Sequence, residues 1–206
     1  MKHFNSVRQG VLSSFLLLFA LGASVLVAPS AYAVAIGFCL DHRADIVGTG
    51  RDDVIRGTPK SDVIAAGGGN DRIKGLGGND LICGAEGEDA VHGGRGKDDL
   101  FGDTGADFLF GGASDDGLSG GDGSDRLFGK QGNDSLGGGE GDDPFLEGGG
   151  GRDSLEGGSG DDGLYGGKGA DGFLQGGSGD DNLFELEGGA FAILGGSGSD
   201  FIQVEG

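Results

Sequence analysis

An aspartate stands at every ninth position from Asp53 through Asp62, Asp71, Asp80, Asp89, Asp98, Asp107, Asp116, Asp125 and Asp134 to Asp143, without a slip. The series runs on at Asp153, Asp162, Asp171, Asp181 and Asp200. One extra residue falls between Asp143 and Asp153 and another between Asp171 and Asp181, and in the repeat between Asp181 and Asp200 Phe191 stands about where the aspartate belongs. A fixed period of this kind marks a stacked repeat architecture, in which each unit buries its apolar face only against its neighbours.

Other positions keep the same phase. Two residues after each aspartate the side chain is apolar, from Ile55, Ile64 and Ile73 through Leu109 and Leu127 to Phe145, Phe173 and Ile202. Two residues before it stands glycine at Gly69, Gly78, Gly87, Gly96, Gly105, Gly123, Gly132, Gly141, Gly160 and Gly169, but Arg51, Lys60 and Ser114 break that rule. Five residues before it stands glycine everywhere except Ala66. The chain has 52 Gly and only 3 Pro, a composition that reads as disorder without periodicity and as a solenoid with it.

The spacing predicts a short strand of about three residues around each apolar position, with a single inward side chain. The six residues before it turn the chain, which glycine permits through positive φ and close backbone approach. Two nonapeptides then make one coil, and successive coils stack as parallel strands about 4.8 Å apart. Stacking sets Asp53, Asp71, Asp89, Asp107, Asp125 and Asp143 along one edge and Asp62, Asp80, Asp98, Asp116 and Asp134 along the other. Carboxylates a few ångströms apart repel unless a cation lies between them. Hard oxygen ligands, a carboxylate from each turn completed by glycine-turn carbonyls, suit Ca2+ better than Mg2+, which keeps its waters and demands a rigid octahedron.

The unit resembles the RTX, or hemolysin-type calcium-binding, nonapeptide G-G-x-G-x-D-x-U-x with U apolar, as in Gly93-Gly94-Arg95-Gly96-Lys97-Asp98-Asp99-Leu100-Phe101 and Gly157-Gly158-Ser159-Gly160-Asp161-Asp162-Gly163-Leu164-Tyr165. The likeness runs over residues 48–206. It implies an all-β fold, a parallel β-roll wound as a right-handed β-solenoid. It also implies several Ca2+ ions, one between neighbouring turns on each edge, held by the phased aspartates and the ten glycines named above. A core of one side chain per nonapeptide is thin, so the chain is expected to be largely unfolded without Ca2+ and to fold as it binds. Sites after Asp143 are less secure, because Pro144, Gly163 and Gly172 follow aspartates and the ten-residue units shift or bulge the register.

The formal net charge of −20 disfavours nucleic acid and anionic lipid as partners and favours cations. Residues 1–33 read as a secretory signal peptide: Lys2 and Arg8 give a positive start, an apolar stretch runs from Val11 to Ala28, and Ala31-Tyr32-Ala33 supplies an A-x-A cleavage site. The mature chain is then expected outside the cell, without stable membrane insertion, with residues 34–47 as an N-terminal capping segment and 48–206 as the roll. Cys39 and Cys83 are the only cysteines; in an exported chain they can pair as a disulfide or remain free thiols.

Catalytic signals fail on context. Gly117-Leu118-Ser119-Gly120-Gly121 matches G-x-S-x-G, yet it is a by-product of the repeat phase with no strand–turn–helix around it. His42 and His92 are too few and too scattered for a zinc site. The reading is a secreted, non-enzymatic calcium-binding module. An alternative is a cell-surface adhesion protein that uses the roll as a rigid spacer, for which the outward Phe101, Phe110, Phe128, Tyr165 and Phe184 speak.

Overall fold

The computed structural model describes residues 37–185 and 187–205, and the signal-peptide reading of residues 1–33 lies outside them. Among the described residues every regular element is a strand. Phe38–Cys39 (β1) and His42–Arg43 (β2) form a small antiparallel hairpin. Ile46–Val47 (β3) and Val54–Arg56 (β4) open the solenoid. Thirteen strands of six residues follow, from Val63–Gly68 (β5) and Arg72–Gly77 (β6) to Phe173–Ser178 (β17). Asn182–Glu185 (β18), Ala192–Ser197 (β19) and Phe201–Val204 (β20) close it.

Strands alternate between two sheets, so each coil contributes one strand to each. The odd-numbered strands β3 to β19 make one 9-stranded parallel sheet and the even-numbered β4 to β20 the other. Register follows the repeat: Leu109 lies beside Val91 on one side and Leu127 on the other. The result is a β-solenoid of about nine turns.

The strands are longer than the three residues expected. In β10 (Phe108–Ala113), pairing holds at Phe110↔Phe128, skips Gly111, and resumes at Gly112↔Lys130. The glycine segment is therefore part of the ladder and not all turn. Its backbone bends at a residue of positive φ, such as Gly112 (φ 126), and then hydrogen-bonds onward. Leu76, Ala85, Asp103 and Lys130 adopt the same positive φ at the equivalent place, so the bend there is imposed by the stacking and not by glycine alone.

The core is a single file of side chains between the sheets. Ile55, Ile64, Ile73, Ile82, Val91, Leu100, Leu109, Leu118, Leu127 and Leu136 fill it, each two residues after its aspartate as expected. The ten-residue units correct that rule. The inward residue after Asp143 is Leu146 and the one after Asp171 is Leu174, both fully buried, while Phe145 is 43 % exposed. The extra residue sits between the aspartate and its strand, and Leu146 pairs with Leu127. Keeping a fixed aspartate and a fixed strand register pushes the surplus into that junction. The repeat with no aspartate obeys the same logic. Phe173 pairs with Ala192 and Leu174 with Ile193, so Ala190, not Phe191, occupies the aspartate position.

The hairpin covers the outer face of the odd-numbered sheet. Cys39 is buried against Ala65 and Cys83, with Val63, Leu81 and Phe101 packed around them, and a disulfide joins Cys39 to Cys83. Phe101 thus belongs to this small satellite core. The other aromatics named above lie on the even-numbered sheet. There His92, Phe110 and Phe128 stack at 4.6 and 4.9 Å, and Phe145, Tyr165 and Phe184 at 5.3 and 4.9 Å.

Candidate metal-binding columns

In the nine-residue units three residues separate successive six-residue strands, and the last of them is the repeat's aspartate; in the two ten-residue units Pro144 or Gly172 follows it. The aspartate turns the chain at the edge of the roll, where its side chain folds back toward the neighbouring coil. The backbone N–H of Asp89 donates to Oδ1 of Asp107 at 2.8 Å, and the N–H of Asp107 donates to Oδ1 of Asp125 at 2.8 Å. The same bond links Asp53, Asp71, Asp89, Asp107, Asp125, Asp143, Asp162, Asp181 and Asp200 into one column. Asp62, Asp80, Asp98, Asp116, Asp134, Asp153 and Asp171 form the other. Both columns pass through the ten-residue units unbroken, so Pro144, Gly163 and Gly172 do not interrupt them. The N–H groups of Gly163 and Gly172 keep their ladder bonds to the Asp143 and Asp153 carbonyls, at 2.9 and 2.7 Å.

One oxygen of each carboxylate is thereby satisfied, and the other is not. Asp71, Asp80, Asp89, Asp98, Asp107, Asp116, Asp125, Asp134, Asp143, Asp153, Asp162, Asp171 and Asp181 are buried, and the Oδ2 of each has no hydrogen-bond partner. A buried carboxylate oxygen without a partner carries a desolvation penalty that neither water nor protein offsets. The bare oxygens also share a surrounding. A methyl group placed on Gly120 would run into Asp125 Oδ2 and the Gly138 carbonyl, and one on Gly129 into Asp134 Oδ2 and the Gly148 carbonyl. In all but the Asp53 and Asp71 repeats, the latter with Ala66 at this place, the glycine five residues before the aspartate thus keeps open a small cradle beside a carboxylate oxygen, as at Gly120 and Gly129, where a carbonyl from the next coil completes it. This explains the near-invariance of that glycine along the chain.

The glycines two residues before the aspartate do something different. Gly87, Gly105 and Gly123 have φ of 130, 133 and 148°, and each lies so close to the glycine carbonyl of the previous coil that no Cβ fits. Their N–H groups donate to carbonyls of the next coil, as Gly105 to Asp122 at 2.8 Å. Gly69, Gly78, Gly96, Gly132, Gly141, Gly160 and Gly169 share the positive φ. The residue between this glycine and the aspartate adds a further ladder. Asn70 Oδ1 accepts from Glu88 N–H at 3.1 Å and Asp142 Oδ1 from Asp161 N–H at 2.9 Å.

The N-terminal end of each column is closed by threonine. Thr49 donates its N–H and its hydroxyl to Asp53 Oδ2 at 2.7 and 2.8 Å, and Thr58 does the same for Asp62 at 2.6 and 3.0 Å. These are the two repeats in which Arg51 and Lys60 replace glycine. The Oδ2 of each of these aspartates is thus partnered, a distinction that the nine-residue phase alone could not reveal. At the other end, Asp200 is only half-buried.

Burial shapes the electrostatics. It raises Asp107, Asp116 and Asp143 to about 7 and Asp89, Asp98, Asp153 and Asp162 to about 6, with the neighbouring carboxylates adding to the effect and the backbone N–H opposing it. Asp71, Asp80, Asp125, Asp134 and Asp181 are also raised, again chiefly by burial. Among the described residues no Lys or Arg side chain is paired with a column aspartate, and the contact of His42 with Asp41 lies on the hairpin, away from the columns. Nor do three His, Cys, Asp or Glu side chains converge anywhere among the described residues. A cation held in these columns would therefore have one or two carboxylates and would complete its shell with backbone carbonyls and water, the habit of a hard, flexible ion.

The model of the RTX calcium-binding nonapeptide repeat matches the sequence at residues 47–82, 57–91, 84–118, 92–126, 119–143 and 145–173. No curated protein matches the chain.

Proposed function

The chain belongs to the family of RTX calcium-binding nonapeptide repeat proteins, and from that premise we propose that it is an exported module that folds around a double column of Ca2+ ions and serves a structural or interaction role outside the cell. The observation that carries the reading is the pairing of a bare, buried Oδ2 with a glycine-kept cradle in coil after coil. Asp71 to Asp181 would supply the carboxylates, and the carbonyls of the glycines five residues before each aspartate, such as Gly138 and Gly148, would stand beside them. The glycines two residues before each aspartate shape the turn, and their carbonyls remain candidates for the same shell. Ca2+ bound there would replace the missing partner of each Oδ2 and cancel the repulsion along the column. Folding and binding are then one event, because the ligand set exists only once coils stack.

Export fits this coupling. Extracellular calcium modules work at roughly 10⁻⁴–10⁻³ M, well above cytosolic levels, so a chain of this kind would stay unfolded until it left the cell. Calorimetric titration of the chelated protein with Ca2+ tests the reading. Uptake of several ions with a gain of β signal supports it; no uptake at millimolar Ca2+ removes it.

A second reading, surface adhesion, draws on the even-numbered sheet. Its outer face carries the two aromatic ladders, and Lys130 lies 4.5 Å from the Phe128 ring centroid. Phe108, Phe145 and Phe201 are 40, 43 and 52 % exposed on the same sheet. A cell-binding assay with and without chelator separates the two. Calcium-dependent attachment favours adhesion, and its absence leaves the calcium module standing alone.

A further inference from the structure

Two departures from the repeat occur five residues apart and belong together. Ala190 replaces the aspartate of one repeat, and Glu185 replaces the glycine five residues before it. From Gly57 on, with Ala66 the one exception, that glycine leaves room for its own repeat's carboxylate, as Gly120 does for Asp125. Here no such carboxylate exists, so the space is free for a longer side chain.

Glu185 uses it. Tyr165 pairs with Phe184, which sets Glu185 beside Gly166 in the neighbouring coil. A Cβ on Gly166 would meet Glu185 Oε2 and Asp171 Oδ2 together, so these two oxygens converge on one cradle. In a regular repeat the second oxygen at that point is a backbone carbonyl, as Gly138 is at Gly120. Glu185 is fully buried and no donor meets hydrogen-bond geometry at either of its carboxylate oxygens, although the Gly189 N–H favours its charged form and the facing Asp171 carboxylate opposes it. Asp171 Oδ2 has no such donor either. Two buried carboxylates facing each other need a cation between them or a proton shared by them.

We infer that Glu185 and Asp171 together hold a Ca2+ ion at the Gly166 cradle, so that a glutamate from the glycine position continues the column past the repeat that lost its aspartate. The inference rests on the calcium reading above. It assigns Glu185 as a ligand although it lies outside the nine-residue aspartate phase.

The test counts ions on the full chain by calorimetry and by Tb3+ luminescence, in Glu185→Gln, in Glu185→Gly, which restores the repeat glycine, and in the double variant Glu185→Gly with Ala190→Asp, which restores the whole repeat. The expected result is one ion bound at least about tenfold more weakly than in wild type in each single variant, which lacks the second carboxylate, and wild-type affinity in the double variant, with circular dichroism in Ca2+ unchanged throughout. Wild-type stoichiometry and affinity in both single variants would overturn the inference and leave the pair sharing a proton. If the wild type itself took up no ion, the calcium reading would fall first, and the two failures are thereby distinct.

Discussion

The backbone N–H of Asp107 donates to Oδ1 of Asp125 at 2.8 Å, and Asp125 Oδ2 is left buried with no partner at all. The relationship divides each carboxylate into a half that builds the solenoid and a half that waits for a ligand. Replacement by asparagine separates the two roles, since an amide oxygen still accepts the N–H while the charge is gone. Asp125→Asn is expected to fold in Ca2+ with the coils stacked, yet to bind at least one ion about tenfold more weakly. Titration against wild type reads this directly; unchanged binding would make the aspartate purely structural.

Acidity should partly substitute for calcium. An unfolded aspartate titrates near 3.9, whereas the folded chain raises Asp107, Asp116 and Asp143 to about 7 and Asp89, Asp98, Asp153 and Asp162 to about 6. The folded state therefore binds more protons between those limits, and its stability falls as pH rises through 6 to 7. Metal-free protein is expected to show more β signal by circular dichroism at pH 4.5 than at pH 7.5. Calcium affinity should change the opposite way, strengthening as pH rises through 6 to 7, because protons and Ca2+ compete for the same oxygens.

Two glycines of the strands make a controlled pair. A Cβ on Gly102 would overlap Asp107 Oδ2 and the Gly120 carbonyl, whereas one on Gly137 meets nothing within 4 Å. Neither residue has positive φ, so the backbone accepts alanine at both. Gly137→Ala is expected to be neutral or to stabilise by about 0.5–1 kcal/mol through the unfolded state. Gly102→Ala should destabilise by at least about 1–3 kcal/mol through overpacking and should remove the adjacent ion site. Denaturant melts in Ca2+ with parallel ion counts check both.

The period of nine made the coil, the two aspartate columns and most of the inward residues legible before any coordinates, because each is a direct consequence of stacking identical units. What remained hidden depended on local bookkeeping that a period does not carry. Phe145 and Leu146 are both apolar, and only the register against Leu127 decides which of them turns inward. Thr49 and Thr58 stand where other repeats have the second glycine, and their capping of Asp53 and Asp62 needed the geometry of the turn. Glu185 was invisible for the same reason: the sequence reading looks for the missing aspartate near Phe191, and only the register moves that place to Ala190 and shows the side chain that fills its space.

Thr58 offers a direct test of the capped ends. Its hydroxyl donates to Asp62 Oδ2 at 3.0 Å and its N–H to the same atom at 2.6 Å. Thr58→Val keeps the shape and the N–H but removes the hydroxyl, leaving Asp62 short of one donor to a charged, buried group. A loss of about 1–3 kcal/mol is expected in the N-terminal coils, with no change in the number of ions bound. Hydrogen exchange of the first coils is the measurement. An altered ion count would show instead that Asp62 binds calcium and that the threonine is no cap.

The disulfide should act locally and on the same end. Cys39 and Cys83 close a loop with a sequence separation of 44, and they are buried against Ala65 on the outside of the odd-numbered sheet, away from the central file of core side chains. Cross-linking mainly restricts the unfolded chain, so Cys39→Ser with Cys83→Ser is expected to lower stability in Ca2+ by about 2–4 kcal/mol. The aspartate columns contain neither cysteine, and the loop closes over the earliest coils only. The double variant should therefore bind the same number of ions as wild type, with weaker protection confined to the strands near β5 and β7 (Leu81–Glu86). Loss of ion binding along the whole roll would mean that the hairpin nucleates the solenoid, a role its packing on one outer face gives no reason to expect.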